Sequence, residues 1–173
     1  MSKGAPARLG FGPALPDEKL PSMLLLGLLS RSTAKLLRQV SDGSLDAVIL
    51  AGAASQGEAA GVTAALKEVT WGSWAQEVTT ELLKAQKEKG CDFLVFPPDK
   101  AAVEPLADES VGRFLALDPG VDERTLRAIE DLPIDGVLLR NDSLEAPITL
   151  RHIMDIGYVR SFFDKYFLVQ VPS

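Results

Sequence analysis

The sequence is poor in the side chains that most readily do chemistry. Of 173 residues, one is cysteine (Cys91) and one is histidine (His152). A single thiol excludes an internal disulfide and a thiolate metal cage, and a single imidazole excludes a multi-histidine metal centre. Scarce cysteine also fits a reducing, cytoplasmic setting. Basic charge is outweighed: 18 Lys and Arg stand against 24 Asp and Glu, a net charge of −6, and the basic residues do not cluster. Nucleic acid and anionic membrane surfaces call for a basic patch, so neither is an expected partner. Long apolar runs are missing too. The most apolar stretch, Met23–Leu29 (MLLLGLL), is far too short to span a bilayer. As the core of a leader it would sit late, behind a lead containing Pro and acids, so a buried strand is expected there.

What is present is globular. Apolar residues make up 46% and charged residues 24%, values of a folded domain with a core. The length suits one domain better than two. Residues 1–21 hold Gly, Pro and charges without a period and are expected to form an irregular arm, with a short extended piece at Arg8–Phe11. Residues 22–173 are expected to form the domain.

Within that domain short apolar runs recur. Their centres fall at Leu26, Ile49, Gly72, Val95, Ala116, Leu138 and Val169, spaced by 23, 23, 23, 21, 22 and 31 residues. A stride of about 23 is that of a lean strand–loop–helix–loop unit. It admits TWGSWA as a strand although Gly72 in its middle weakens the local propensity. Helices are predicted from Ser32 or Thr33 to Val40, over Glu58–Val69, over Gln76–Lys89 with Gly90 as stop, and over Ile148–Lys165. Between Gly90 and Asn141, three strands alternate with polar, helix-compatible segments, the pattern of a parallel α/β sheet.

The runs GCDFLVF, GRFLALDP and IDGVLL resemble the aldolase-type (β/α)8, or TIM, barrels, including those that bind phosphorylated sugars. The resemblance covers about Met23 to Ser173 and is one of superfold, not of a named enzyme family. It implies an α/β fold with a parallel (β/α) barrel and chemistry at the C-terminal ends of the strands. The chain departs from the pattern in showing seven strands, and its length is below the roughly 200 residues usual for this fold. A truncated chain is the first expectation. The others are the Arg8–Phe11 arm or a partner chain in the eighth place, or an open doubly wound sheet. An open edge would favour a homo-oligomer. Aspartates precede the second, fourth and sixth strands (Asp46, Asp92, Asp135), which suggests equivalent residues in one interior barrel layer; the plainer reading is turn aspartates.

At the C-terminal strand ends lie Ser30, Arg31, Ser55, Gln56, Gln76, Glu77, Asp99, Lys100, Asp118, Arg140, Asn141 and Gln170. Asp118, in LALDPG, is a catalytic candidate: burial would raise its pKa into the range of a general base. Its plainer role is a turn or capping carboxylate. Lys100 is a candidate imine-forming amine, which requires desolvation; in PPDK it also reads as a solvated loop lysine. Arg140 and Asn141 could clamp a carboxylate or phosphate, with Gln170 and Ser55 as further binding residues; a surface salt bridge near Asp142 is the alternative for Arg140. Gly52, Gly57 and Gly61 match no phosphate-loop or dinucleotide spacing. His152, Trp71 and Trp74 read as packing or surface residues, and Cys91 as buried and inert. The cofactor is unknown; no flavin or nicotinamide fingerprint occurs. Two functions follow: an enzyme or binder of a small anionic metabolite, with Asp118, Arg140 and Asn141 at the site, or a non-catalytic barrel or interaction module.

Overall fold

The computed structural model describes residues 23–29, 45–51, 69–140 and 147–171. Seven strands, β1 (Leu26–Leu29), β2 (Ala47–Ala51), β3 (Thr70–Trp74), β4 (Phe93–Phe96), β5 (Gly112–Leu117), β6 (Gly136–Leu139) and β7 (Tyr166–Val169), make one sheet in sequence order. Every neighbouring pair is parallel. TWGSWA is in the sheet as expected. The expected helices over Ser32–Val40 and Glu58–Val69 and the arm with its extended piece lie outside the described residues, apart from the last residue of the second helix.

The strands' alternation sorts side chains into two cores. Val48, Leu50, Leu94, Phe96, Leu115, Leu117, Val137 and Leu139 point outward into a cluster with helix residues Leu83, Leu126, Ile129 and Val159. The intervening residues Ala47, Ile49, Phe93, Val95, Phe114, Ala116 and Leu138 form an inner cluster, against which Leu26 of β1 and Leu168 of β7 both pack. First and last strands thus share one interior. The sheet is curled around it.

Two glycines let that interior fill. Gly72 pairs in register with Phe93, and a Cβ on Gly72 would overlap the Phe93 ring. Gly136 pairs with Phe114 in the same way, and its Cβ would also come within 2.7 Å of the Tyr166 carbonyl oxygen. The two rings meet edge to face at 5.5 Å between centroids. Each phenylalanine occupies room its cross-strand partner leaves.

Among the described residues three helices flank the strands: α1 (Thr80–Glu88), α2 (Glu123–Glu130) and α3 (Leu150–Arg160). Each begins at a side chain that accepts a first-turn amide: Thr79 from Leu82, Asp122 from Thr125, Thr149 from His152. The His152 side chain completes the last of these caps, its Nδ1 accepting from the Thr149 amide at 3.2 Å, so the histidine is a capping residue. The helix expected from Gln76 begins only at Thr80, because Val78 bridges in parallel to Ala101 before it, and two further expectations differ. The last helix ends at Arg160, not Lys165, because Ser161 caps it. The segment after β4 forms two 3-10 turns, Pro98–Lys100 and Glu104–Ala107, instead of an α-helix. Its prolines at 97, 98 and 105 withhold the amides a continuous helix needs.

The three repeated aspartates also differ from expectation. They precede their strands on the outward alternation and cap the neighbouring odd strand. Asp46 accepts from the Leu25 amide at 2.7 Å, Asp92 from Trp71 at 3.0 Å and Asp135 from Arg113 at 2.8 Å. An amide at the start of a strand, with no further ladder partner, finds a carboxylate there. Asp135 additionally holds the buried Arg113 guanidinium through Nε at 2.9 Å and Nη2 at 3.1 Å. The recurrence on alternate strands reflects amide capping, not an interior layer.

Candidate functional site at the mouth of the barrel

The strand ends meet at one cavity of about 180 Å³. It is lined by Leu28, Ala51, Trp74, Gln76, Arg140 and Gln170, which come from or directly follow β1, β2, β3, β6 and β7. Leu28, Ala51 and Trp74 make one side apolar. Arg140 and Gln170, next to each other on adjoining strands, make the opposite side polar.

Pairing explains how Trp74 and Arg140 come together. Hydrogen bonding sets Trp74 opposite Val95, Val95 opposite Phe114, and Phe114 opposite Gly136. Arg140 therefore lies four residues beyond the position in Trp74's own row. Nevertheless its guanidinium carbon lies 5.6 Å from the Trp74 ring centroid. Only strands tilted against the barrel axis bring such staggered positions to one height. The contact places a cation over an aromatic face and spans the mouth from β6 to β3.

Arg140 is further fixed at its backbone, whose amide donates to the Leu117 carbonyl at 2.7 Å. Gln170 is held likewise by its amide to Leu139 at 3.0 Å. Asp118 stands on the rim one strand away, its Oδ1 3.4 Å from Arg140 Nη1. Its side chain is 73% exposed, against 31% for Arg140, and it does not line the cavity. The burial that would make Asp118 a general base is not met. Lys100 is exposed at the end of its 3-10 turn, where its carbonyl accepts from the Val78 amide at 3.0 Å. It lacks the desolvation an imine-forming lysine needs. Asn141, Ser55 and the glycines at 52, 57 and 61 lie outside the described residues.

Of the sequence-nominated residues, the fold therefore brings Arg140, Gln170 and Gln76 together at the cavity, with Asp118 beside Arg140 outside its lining and Lys100 apart. Trp74 is the site residue that sequence reasoning assigned to packing. Strand alternation carried the signal: 72 and 74 share an inward parity, as do 138 and 140. Trp71, of opposite parity, is buried in the outer core. Cys91 is 3% exposed. Its thiol donates to the Phe93 carbonyl at 3.1 Å, and burial pushes its pKa up to about 12, so a reactive thiolate is not available at neutral pH. Among the described residues no group of three or more His, Cys, Asp or Glu could hold a metal ion. Among them, too, no helix is long and apolar enough to cross a membrane.

No family model matches the chain, and no curated protein matches it. Solved structures do. A mutant tryptophan synthase alpha-subunit from the hyperthermophile Pyrococcus furiosus aligns with a TM-score of 0.71 at 12% identity, covering 87% of this chain and 78% of that one. The tryptophan synthase complex of the same organism gives 0.67 at 13% identity with the same coverage. A protein of Aquifex aeolicus VF5 gives 0.63 at 12% identity over 84% of this chain and 74% of its own. At such identities the likeness speaks to fold alone. The chain is an α/β protein whose seven described parallel strands curl as in a TIM barrel.

Proposed function

We propose that the mouth binds a small anionic metabolite, carboxylated or phosphorylated. Arg140 supplies the counter-charge, and Gln170 and Gln76 supply amide partners. Asn141, the residue after Arg140, and Ser55, which follows β2 in sequence, are assigned to the same site by their place in the chain. The observation that carries this reading is the Arg140 guanidinium held over Trp74 on the wall of the cavity. A guanidinium positioned before the ligand arrives loses little freedom on binding. Binding without conversion is the form the geometry supports, since neither Asp118 nor Lys100 is desolvated. The fold is shared with an enzyme subunit, but a fold does not establish a reaction.

A thermal-shift panel of phosphorylated sugars and small carboxylates tests it. A ligand at about 100 times its Kd stabilises the folded state by about 2.7 kcal/mol, and Arg140→Gln is expected to abolish the shift. A response that survives Arg140→Gln would refute the site. A second reading, a non-catalytic interaction module, is favoured by the exposed Leu150, Ile153, Met154 and Tyr158 along α3. A panel without any response would favour that alternative.

A further inference from the structure

We infer that Asp118 is a built-in competitor for the anion site: its carboxylate draws on the same Arg140 charge that a ligand anion would use. This rests on the anion-binding reading above and assigns Asp118 a role in setting affinity rather than in proton transfer.

Asp118 Oδ1 lies 3.4 Å from Arg140 Nη1, and Asp118 is not among the residues lining the cavity. An anion in the cavity meets the same positive charge. The two negative charges would then share one cation within a few ångströms, and like charges so placed repel. Removing the rim carboxylate leaves more of that positive charge to the ligand.

Asp118 is not what holds Arg140 in place. Its backbone is bonded to Leu117 and its guanidinium lies over the Trp74 face, both independently of Asp118. With its side chain 73% exposed, Asp118 loses little by turning to water, since exposed ion pairs are weak. Its position is set by register: Leu117 pairs with Leu139, so the next residues on the two strands, Asp118 and Arg140, are neighbours.

Isothermal titration with succinate and with glycerol 3-phosphate tests the inference on the wild type, Asp118→Asn, Asp118→Glu and the double variant Asp118→Asn with Arg140→Gln. Asp118→Asn is expected to tighten binding of the better probe about five-fold, a gain of the size that an exposed pair plus a nearby like charge permits. Asp118→Glu, which keeps the charge, is expected to bind like the wild type, and the double variant not at all. Unchanged or weaker binding by Asp118→Asn, with wild-type binding intact, would overturn the competitor role while leaving the anion site standing. Equal gains from Asp118→Asn and Asp118→Glu would overturn it as well. No binding by either wild type or Asp118→Asn would overturn both.

Discussion

Gly72→Ala is expected to cost the fold about 2–3 kcal/mol, far more than a methyl group costs on a surface strand. The new Cβ would come within 2.2–2.5 Å of three carbons of the Phe93 ring, which is 1% exposed and fixed edge to face against Phe114. A ring so enclosed has nowhere to turn. Phe93→Leu alone should cost about 1–1.5 kcal/mol, as a modest loss of core volume does. Together the two changes should cost at least about 1 kcal/mol less than their sum, because each relieves the other. Urea midpoints of the four proteins supply the cycle. Strict additivity would mean that Phe93 does not lie over Gly72.

Asp135→Ala is expected to be comparably severe, at about 3 kcal/mol. The substitution strands the Arg113 guanidinium, which is buried with two of its nitrogens on that carboxylate. It also deprives the Arg113 amide of its 2.8 Å acceptor. Most of the loss comes from the buried charge left behind, not from the pair's own attraction. Adding Arg113→Met should therefore recover a good part of it, whereas Arg113→Lys should not, since an ammonium cannot reproduce the fork. Thermal or urea unfolding of these variants reads the outcome. A loss under about 0.5 kcal/mol for Asp135→Ala would show the pair to be no more than a surface contact.

The sheet was legible in the sequence because each strand buries a run of apolar side chains and the runs recur at a near-constant stride. That stride also recovered TWGSWA, where local propensity fails. Gly72 looks like a strand breaker until Phe93, on the next strand, is known to fill its place. Such pairwise compensation between strands cannot be read from one segment. The repeated aspartates were visible as a pattern but not as a role: a residue directly before a strand can face in, face out or cap a neighbour, and only the pairing decides. The prolines after Phe96 were equally visible, and they rule out a continuous helix there.

At the site, Arg140 and Gln170 could be found from their position after a strand. The stacking of Arg140 on Trp74 could not, because it depends on strand tilt, which carries residues four apart in register to the same height. For Asp118, position after a strand identified a rim residue. Exposure, which a single sequence does not reveal, separates a rim carboxylate from a buried base.

The meeting of Trp74 and Arg140 across the mouth is what makes one site out of separate strand ends. Nuclear Overhauser contacts in a Trp71→Phe background, where Trp74 is the sole indole, test it directly. Cross-peaks from the Trp74 ring to the Arg140 side-chain methylenes and Nε proton are the expected result. A Trp74 ring that shows contacts to Val95 and Ala51 on its neighbouring strands, yet none to Arg140, would mean that the sheet does not curl far enough to form the mouth.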